Sequence, residues 1–143
     1  MKIAKIPFTD VLADKTAGNP KTLQSEYHNK GRFPIVDQGK GLIGGYTNDP
    51  SRLCKEPLPL IIFGDHTKEI KYIDFPFCVG ADGTKILKAK IDSDLRYLFH
   101  AIKQISIPEA GYSRHFKFLK RGSIPLPPLA EQKRIAGILD AAE

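Results

Sequence analysis

The chain has 143 residues, of which 41% are hydrophobic and 9% aromatic, and its formal net charge is +6. These values fit one globular domain with a hydrophobic core and exclude a disordered segment. No apolar run approaches the roughly 18 residues that span a bilayer, and the first residues lack the apolar region of a signal peptide. We therefore expect a cytoplasmic protein without membrane contact. Its basic surface is either simply solvated or faces an anionic partner such as nucleic acid.

The first part of the chain predicts one short helix and then a series of strands. Residues 9–18 have the composition of a helix, with Thr9 as N-cap and Gly18 near the end. Turn-forming residues then separate short runs that are rich in apolar residues. The most apolar of these runs, residues 58–63, is predicted to be a core strand. The predicted strands are residues 33–36, 42–46, 58–63, 69–73, 77–79 and 84–89.

The second part predicts a capped helix and a last strand. Residues 92–94 resemble an N-cap for a helix with Leu95, Leu98, Phe99, Ile102 and Ile105 on one face. Phe116 and Phe118 alternate with Lys117, which indicates a strand. The predicted fold class is therefore α+β, a curved and mostly antiparallel β-sheet with short helices, ending in the start of a long helix.

The C-terminal segment is predicted to change from extended to helical at Leu129. Pro125, Pro127 and Pro128 fix the backbone before it, so this part must be extended. Good helix formers follow, and Leu129, Ile135, Leu139 and Ala142 give the predicted helix an apolar stripe. Since neither Gly nor Pro ends the helix, we expect that it was cut or that it continues against something else.

A glycine-rich stretch at residues 37–46 contains Lys40 and raises the question of a phosphate loop. A nucleotide P-loop needs GxxxxGK[ST] opening a helix, whereas here Gly41 follows Lys40 and a strand is predicted next. Two interpretations remain open. The stretch is either a purely structural turn or a turn that presents Gln38, Lys40 and Tyr46 to DNA.

No set of residues predicts catalysis by this chain alone. Residues 64–67 place Asp65, His66 and Thr67 side by side, but adjacent side chains in a turn rarely converge on one atom. We favour a structural turn held by side-chain-to-backbone bonds from Asp65 and Thr67. Cys54 and Cys78 have no CxxC spacing and are expected to be buried hydrophobic residues. The sequence carries no cofactor-binding fingerprint and no metal-ligand spacing.

Residues 111–122 combine basic and aromatic side chains. Arg114, His115 and Lys117 lie beside Phe116 and Phe118. This composition suits the anchoring of phosphates, and Arg114 could donate two hydrogen bonds to a guanine edge. The alternative is a solvated edge strand whose lysines prevent pairing with other sheets.

Residues 124–136 resemble the segment that closes a target recognition domain in the specificity subunits of type I restriction-modification systems. Residues 33–41, 61–67, 80–87 and 111–120 agree with the same family. The resemblance implies a non-catalytic reader of double-stranded DNA, in which each recognition domain reads one half of a split target. It further implies docking to a methyltransferase subunit and, through the complex, a restriction/translocase subunit. Those partners would supply the chemistry of S-adenosylmethionine, ATP and Mg, so no cofactor is expected in this chain.

The resemblance also suggests how the chain is divided. Residues 1–122 would be the DNA target recognition domain, and residues 123–143 the proline-rich exit strand and the stub of a spacer helix. Full subunits usually carry two recognition domains, so this chain is expected to be a fragment or a natural half that pairs with a second specificity half. An alternative function is a protein-interaction module that docks through the terminal helix.

The candidate site residues rest on side-chain chemistry, because the resemblance does not locate the base-reading positions. Gln pairs with adenine and Arg with guanine, and lysines contact the DNA backbone. The predicted DNA-binding residues are Gln38, Lys40, Tyr46, Arg52, Arg114, His115 and Lys117, and the predicted docking residues are Leu129, Ile135 and Leu139.

Overall fold

The computed structural model describes residues 3–108 and 114–143. The helices in these ranges are α1 (Phe8–Val11), α2 (Leu95–Ile102), α3 (Phe116–Leu119) and α4 (Leu129–Ala142). Two short 3₁₀ turns lie at Gln24–Glu26 and Pro50–Arg52. The strands are β1 (Lys5–Pro7), β2 (Leu12–Asp14), β3 (Lys21–Thr22), β4 (Phe33–Val36), β5 (Gly45–Thr47), β6 (Leu60–Gly64), β7 (Ile70–Ile73), β8 (Cys78–Gly80), β9 (Thr84–Ala89) and β10 (Ser123–Pro125). No helix in the described ranges has the length and apolar character needed to cross a membrane.

The strands pair into three sheets. Strands β2, β9, β6 and β7 form a four-stranded antiparallel sheet, and β1 pairs with β10 in a two-stranded one. The other four-stranded sheet has the order β3-β8-β4-β5, in which β8 runs parallel to both of its neighbours. The α+β class with mostly antiparallel pairing is therefore confirmed, although the strands belong to more than one sheet.

Strand β6 lies at the centre of the core, because all five of its residues are buried. Successive side chains of a strand point to opposite faces. Ile61 and Phe63 accordingly pack with the helices in one hydrophobic cluster, whereas Leu60 and Ile62 belong to a second cluster on the other side. Each of these side chains contributes about 1.5–3 kcal/mol by its burial. The strongly apolar sequence of this run reflects burial on both faces.

Helix α2 confirms the capping prediction. The Asp94 carboxylate accepts a hydrogen bond from the backbone N–H of Tyr97 at 2.9 Å and so satisfies a donor of the first turn. Leu98 and Ile102 are fully buried one turn apart. The helix thereby covers the antiparallel sheet and offers its other side to α4.

The predicted helix over residues 9–18 is wrong beyond Val11. The chain turns at Leu12 into β2, which pairs with β9, and the Asp14 carboxylate then accepts a hydrogen bond from the N–H of Thr16 at 2.9 Å. Pairing with β9 outweighs the weak helical propensity of this stretch. Gly18 has φ +86° and belongs to a turn after the strand.

The predicted strand at residues 116–118 is also wrong, because these residues form α3. The buried residues are Phe116 and Leu119, three positions apart, and Phe118 is only partly buried. The spacing of three is the helical pattern. The alternation of Phe116 and Phe118 by itself indicates a strand, but the fold buries Phe116 and Leu119 instead.

The C-terminal segment is extended and then helical, as predicted. Strand β10 pairs with β1, and α4 begins directly after Pro128. The helix packs onto α2 through Gln132 and Ala136, which are its buried residues. The Gln132 side chain accepts from the N–H of Asp94 at 2.9 Å and donates to the Pro127 carbonyl at 2.8 Å. The domain boundary between residues 122 and 123 stays a prediction.

Candidate nucleic-acid interface

Three glycine-containing segments meet beside the carboxyl ends of β4, β6 and β8. We call residues 37–45, 64–68 and 80–83 the loop cluster. The Gln38 side chain joins the three, since its Oε1 accepts from the His66 N–H at 2.9 Å and its Nε2 donates to the Asp82 carbonyl at 3.0 Å. The Gln38 carbonyl accepts a further bond from the Thr67 hydroxyl at 2.7 Å. The amide of Gln38 therefore shapes the loop cluster from inside.

Two glycines are required where these segments touch. A Cβ on Gly80 would overlap the Asp37 side chain and the Tyr27 hydroxyl. A Cβ on Gly83 would approach Gln38 Nε2 to 2.6 Å, and the residue also has φ +69°. Only glycine allows this backbone contact without displacement.

A buried lysine supports the loop from beneath. Lys71 is 6% exposed, and its Nζ donates to the carbonyls of Asp37 at 2.6 Å and Gly41 at 2.7 Å. Burial lowers the pKa of Lys71, and the Asp37 carboxylate, 4.0 Å away, opposes that shift. Asp37 also accepts from the Tyr27 hydroxyl at 2.9 Å, and the pKa of Tyr27 is raised by burial and by this carboxylate. These contacts fix the backbone of residues 37–41.

Sequence reasoning missed Lys71, because the alternation of β7 places the more apolar pair, Ile70 and Tyr72, on the other face. Lys71 and Ile73 are both buried and stand two positions apart on β7, hence on the same face of the strand. A lysine on the inward face of a strand needs polar partners, and here these are loop carbonyls.

The tip of the loop carries three exposed side chains. Lys40 makes no ion pair or hydrogen bond with any described residue, so its ammonium is available to a partner. Leu42 is 49% exposed and Ile43 is 37% exposed. A loop whose backbone is held by Lys71 thus presents one cation and two apolar side chains to solvent.

The basic segment at residues 114–121 is tied to the same loop cluster. Asp65 is buried and accepts from the His115 N–H through its carbonyl at 2.7 Å and from the Phe116 N–H through Oδ1 at 2.8 Å. Its neighbour His66 is the residue that Gln38 binds. The two stretches that the sequence singled out therefore meet at one turn. The Asp65 side chain serves this long-range bond rather than its own turn.

The predicted residues of this segment differ in exposure. Arg114 and Lys117 are exposed. His115 is fully buried, with Nδ1 3.0 Å from the Asp65 carbonyl, so it supports the segment from within. Tyr112, part of the predicted basic and aromatic stretch, lies outside the described residues.

Tyr46 and Arg52 are placed differently from Lys40 and Arg114. Tyr46 is partly buried on β5, and its backbone exchanges two hydrogen bonds of 2.9 Å with His28. Arg52 has ion pairs with Glu26 at 3.2 Å and Asp49 at 3.7 Å and donates to the Lys21 carbonyl at 2.8 Å. The charge of Arg52 is thus already compensated within the chain.

An open cavity of about 370 Å³ adjoins the loop cluster. Gln38, Thr67 and Asp82 contribute to its wall, and Leu23 and Gln24 stand at its rim from outside the cluster. Both rim residues are exposed. No local pattern singles out Gln24, because it lies in a polar stretch far from the glycine motifs.

The outer face of α4 forms a second surface. Of the predicted docking residues, Leu129 and Ile135 are partly buried and Leu139 is 40% exposed. Ile138, which was not predicted, is 55% exposed. Ile135 and Leu139 also line an open, mostly apolar cavity of about 690 Å³ shared with α2 and β10.

Charged contacts fix the end of α4 on α2. Asp140 lies 2.6 Å from Nε2 of His100 and 2.7 Å from Nε of Arg96, and Glu143 pairs with Lys103 at 3.2 Å. His100, and after it Arg96, lower the pKa of the Asp140 carboxyl. These contacts hold the last turn of α4 against α2.

The sequence matches the model of one protein family, described as the type I restriction modification DNA specificity domain, over residues 8–143. It is 28% identical over 128 residues to the specificity subunit of the type I restriction enzyme EcoR124I/EcoR124II from Escherichia coli. It is 29% identical over 133 residues to a putative type I restriction enzyme MjaX specificity subunit from Methanocaldococcus jannaschii. These alignments cover 80% and 83% of this chain but 32% and 31% of the relatives. The chain thus spans about a third of their length.

The fold is similar to that of a solved type I restriction-modification S subunit from M. genitalium, with a TM-score of 0.73 at 16% identity. That alignment covers 99% of this chain and 39% of the other. An HsdS subunit from Thermoanaerobacter tengcongensis aligns with a TM-score of 0.59 at 18% identity over 96% of this chain and 36% of the other. The predicted family resemblance and fold class are confirmed.

Proposed function

The chain belongs to the family of type I restriction modification DNA specificity domains, and on that premise we propose that it recognises one half of a bipartite DNA target. Its family makes it a specificity component and not a catalytic subunit. The observation that carries the proposal is the junction at Asp65 and His66, where the loop cluster and the basic segment are joined. This junction puts Lys40 and Arg114, two exposed cations, on segments with a common support.

The side chains divide into those that contact DNA and those that position them. Arg114 can donate two hydrogen bonds to a guanine edge in the major groove, a contact worth about 1–3 kcal/mol of discrimination. Lys40 and Lys117 would bind phosphates. Gln38 and His115 act through the backbone that they hold, since the Gln38 amide and Nδ1 of His115 bond groups inside the protein. Tyr46 and Arg52 stay predicted DNA contacts. They are less accessible than Lys40 and Arg114, because Tyr46 is partly buried and Arg52 is ion-paired.

The test is selection of bound duplexes by the chain assembled with its methyltransferase subunit. We expect one short half-target to be enriched, and Arg114→Ala to relax the preference at a single base pair. Arg32→Ala is a matched control, since it removes an exposed arginine that lies outside the loop cluster and outside residues 114–121. If wild-type protein enriches no sequence, or if both variants lose all targets alike, the assignment of base recognition to Arg114 fails.

The complex would contain a methyltransferase subunit, a restriction/translocase subunit and a second specificity half, and it would act in the cytoplasm on cellular DNA. S-adenosylmethionine, ATP and Mg would be bound by those partners. A further solved structure of similar fold concerns complex assembly and conformational transition of the type I R-M system. This similarity supports the proposal that the chain assembles with other subunits.

A second function, docking through α4, is favoured by the exposure of Ile138 and Leu139 on its outer face. Exposed neighbouring apolar side chains on a helix suit packing against another helix. We expect Leu139→Asp to weaken association with the methyltransferase subunit or the second half. Lys133→Asp, on an exposed polar position of α4, is the control. Unchanged association and oligomeric state in Leu139→Asp would refute this role.

A further inference from the structure

Four basic side chains gather around α3 and share two aromatic rings. Nζ of Lys85 and Nζ of Lys120 lie 5.7 Å and 4.9 Å from the centroid of the Phe116 ring. Nζ of Lys117 and Cζ of Arg121 lie 5.0 Å and 5.5 Å from the centroid of the Phe118 ring. A ring face attracts a cation within about 6 Å. We call Lys85, Lys117, Lys120 and Arg121 the α3 cation cluster.

The cluster has no carboxylate partner among the described residues. Arg52, Arg96 and Arg134 each have an ion pair elsewhere in the chain, whereas no member of the cluster pairs with a carboxylate in residues 3–108 or 114–143. Asp65 stands at the start of α3, but it is buried and its Oδ1 is bound to the Phe116 N–H. Gathering like charges costs electrostatic energy. The rings offset part of this cost, but no carboxylate in the described chain neutralises the cations, so the cluster points to an external anion.

The fold brings the four cations together from distant positions in the sequence. Lys85 lies on β9, and the other three lie on α3 or directly after it. Because Asp65 ties the start of α3 to the turn that Gln38 also binds, the cluster adjoins the loop cluster. An extended anion that reaches one surface would therefore reach the other.

We propose that the α3 cation cluster is a phosphate clamp, which binds the backbone of duplex DNA without regard to sequence while the loop cluster meets the bases. This inference rests on the proposed function. Duplex DNA carries one negative charge per about 1.7 Å of helix axis, so it matches a group of closely spaced cations. Three of the four are lysines, which act as point charges and lack the planar fork suited to a base edge. The aromatic rings hold the cations at the surface and lower the entropy lost on binding.

The clamp is tested by removing two of its charges. Lys117→Gln with Lys120→Gln is compared with Lys15→Gln and Lys55→Gln, two exposed lysines that both adjoin Asn19 through its hydrogen bonds. Each variant is assembled with its partner subunits. Its affinity for a duplex with the selected half-target and for a shuffled duplex is measured from about 50 to 200 mM salt.

We expect the slope of log affinity against log salt to become shallower by about 1.8 in the clamp variant, since each lost phosphate contact contributes about 0.9. The change should be the same for both duplexes, so that the ratio of target to shuffled affinity is kept. The control should keep the wild-type slope.

Three results would overturn the clamp. An unchanged slope would show that these lysines do not contact phosphates, and a loss confined to the selected duplex would show that they read sequence. Loss of the methyltransferase subunit from the variant complex would show that the cluster docks protein. In each of these cases the wild type still discriminates between the duplexes. If the wild-type complex shows no discrimination, the proposed function itself fails.

Discussion

Two regions of the molecule use basic side chains in opposite ways. Where α4 packs on α2, Arg96, His100 and Lys103 face Asp140 or Glu143. Arg96 and Lys103 also lie over aromatic rings, as do Lys85, Lys117, Lys120 and Arg121 around α3, but these last four contact no carboxylate among the described residues. The first region uses charge to fix its own packing. The cations of the second region remain available to a partner. This difference identifies the side of the molecule that we expect to contact DNA.

The largest expected effect comes from breaking the link between α3 and the loop cluster. In Asp65→Ala, the buried N–H of Phe116 loses its acceptor, and we expect the free energy of unfolding to fall by about 1–3 kcal/mol. Chemical denaturation measures this change. Asp74→Ala is the control, because Asp74 is an exposed carboxylate that has no hydrogen bond or ion pair with any described residue. Equal stability of Asp65→Ala and wild type would mean that the two regions are not coupled through this residue.

The next effect separates the stability of the fold from the order of the loop. Lys71→Met keeps the length of the side chain but removes the donors to the carbonyls of Asp37 and Gly41. Bonds to charged groups contribute about 1.5–3 kcal/mol each, and the loss of a buried charge offsets part of that cost. We therefore expect a modest change in unfolding free energy and a larger loss of target affinity.

Amide hydrogen exchange across residues 37–44 should be faster in Lys71→Met than in wild type. Lys88→Met, on a partly buried lysine of β9, should leave that exchange unchanged. Unaltered protection in Lys71→Met would contradict the role of Lys71 as the support of the loop.

A smaller effect compares a compensated cation with an uncompensated one. Lys40→Gln should reduce the salt slope of duplex binding by about 0.9, as expected for one phosphate contact. Arg52→Gln should leave the slope unchanged, because Glu26 and Asp49 already pair with the guanidinium. Both slopes come from the same titration. A reduced slope in Arg52→Gln would restore this residue to the DNA contacts that the sequence predicted.

The smallest effect concerns pH and the region where α4 meets α2. The pKa of Asp140 is lowered in the folded protein, mainly by His100 and then by Arg96. A lowered carboxyl pKa stabilises the fold above the ordinary value of 3.8, and this stability is lost as the pH falls through the folded value. Wild type should therefore be more stable than Asp140→Asn near pH 6, and thermal unfolding should show the difference shrinking below pH 4. A difference that does not change with pH would contradict the ion-pair origin.

The sequence predicted those elements whose signals are local. Strand β9 was predicted at Thr84–Ala89, the residues where it occurs, because a turn signal precedes it. Helix α2 was predicted from a cap and a one-sided apolar face. The predictions for residues 9–18 and 116–118 were wrong for a shared reason. In both ranges, contacts with residues distant in the sequence determine the secondary structure. Pairing with β9 extends Leu12–Asp14, and Asp65 together with burial of Leu119 makes α3 helical.

The candidate site was predicted in its parts but not in its assembly. Glycine spacing indicated a turn at residues 37–41, and basic composition indicated the segment around Arg114. The strand predicted at residues 42–46 begins only at Gly45, so Leu42 and Ile43 belong to the loop. The meeting of the loop and the basic segment at Asp65 and His66 depends on contacts across 28 and 51 positions, which no local pattern reveals. For the same reason, the sequence alone could not show that the Gln38 side chain bonds groups inside the protein whereas Lys40 is exposed.

The support of the loop by Lys71 has a consequence for how the protein could acquire new specificities. Lys71 binds carbonyls, the Thr67 hydroxyl binds the Gln38 carbonyl, and the Gly44 N–H donates to the Ile35 carbonyl at 2.8 Å. Every one of these bonds ends on the loop backbone, which all residue types share. Lys40, Leu42 and Ile43 can therefore be exchanged without disturbing the shape that presents them. A designer could treat these positions as a replaceable set on a constant frame.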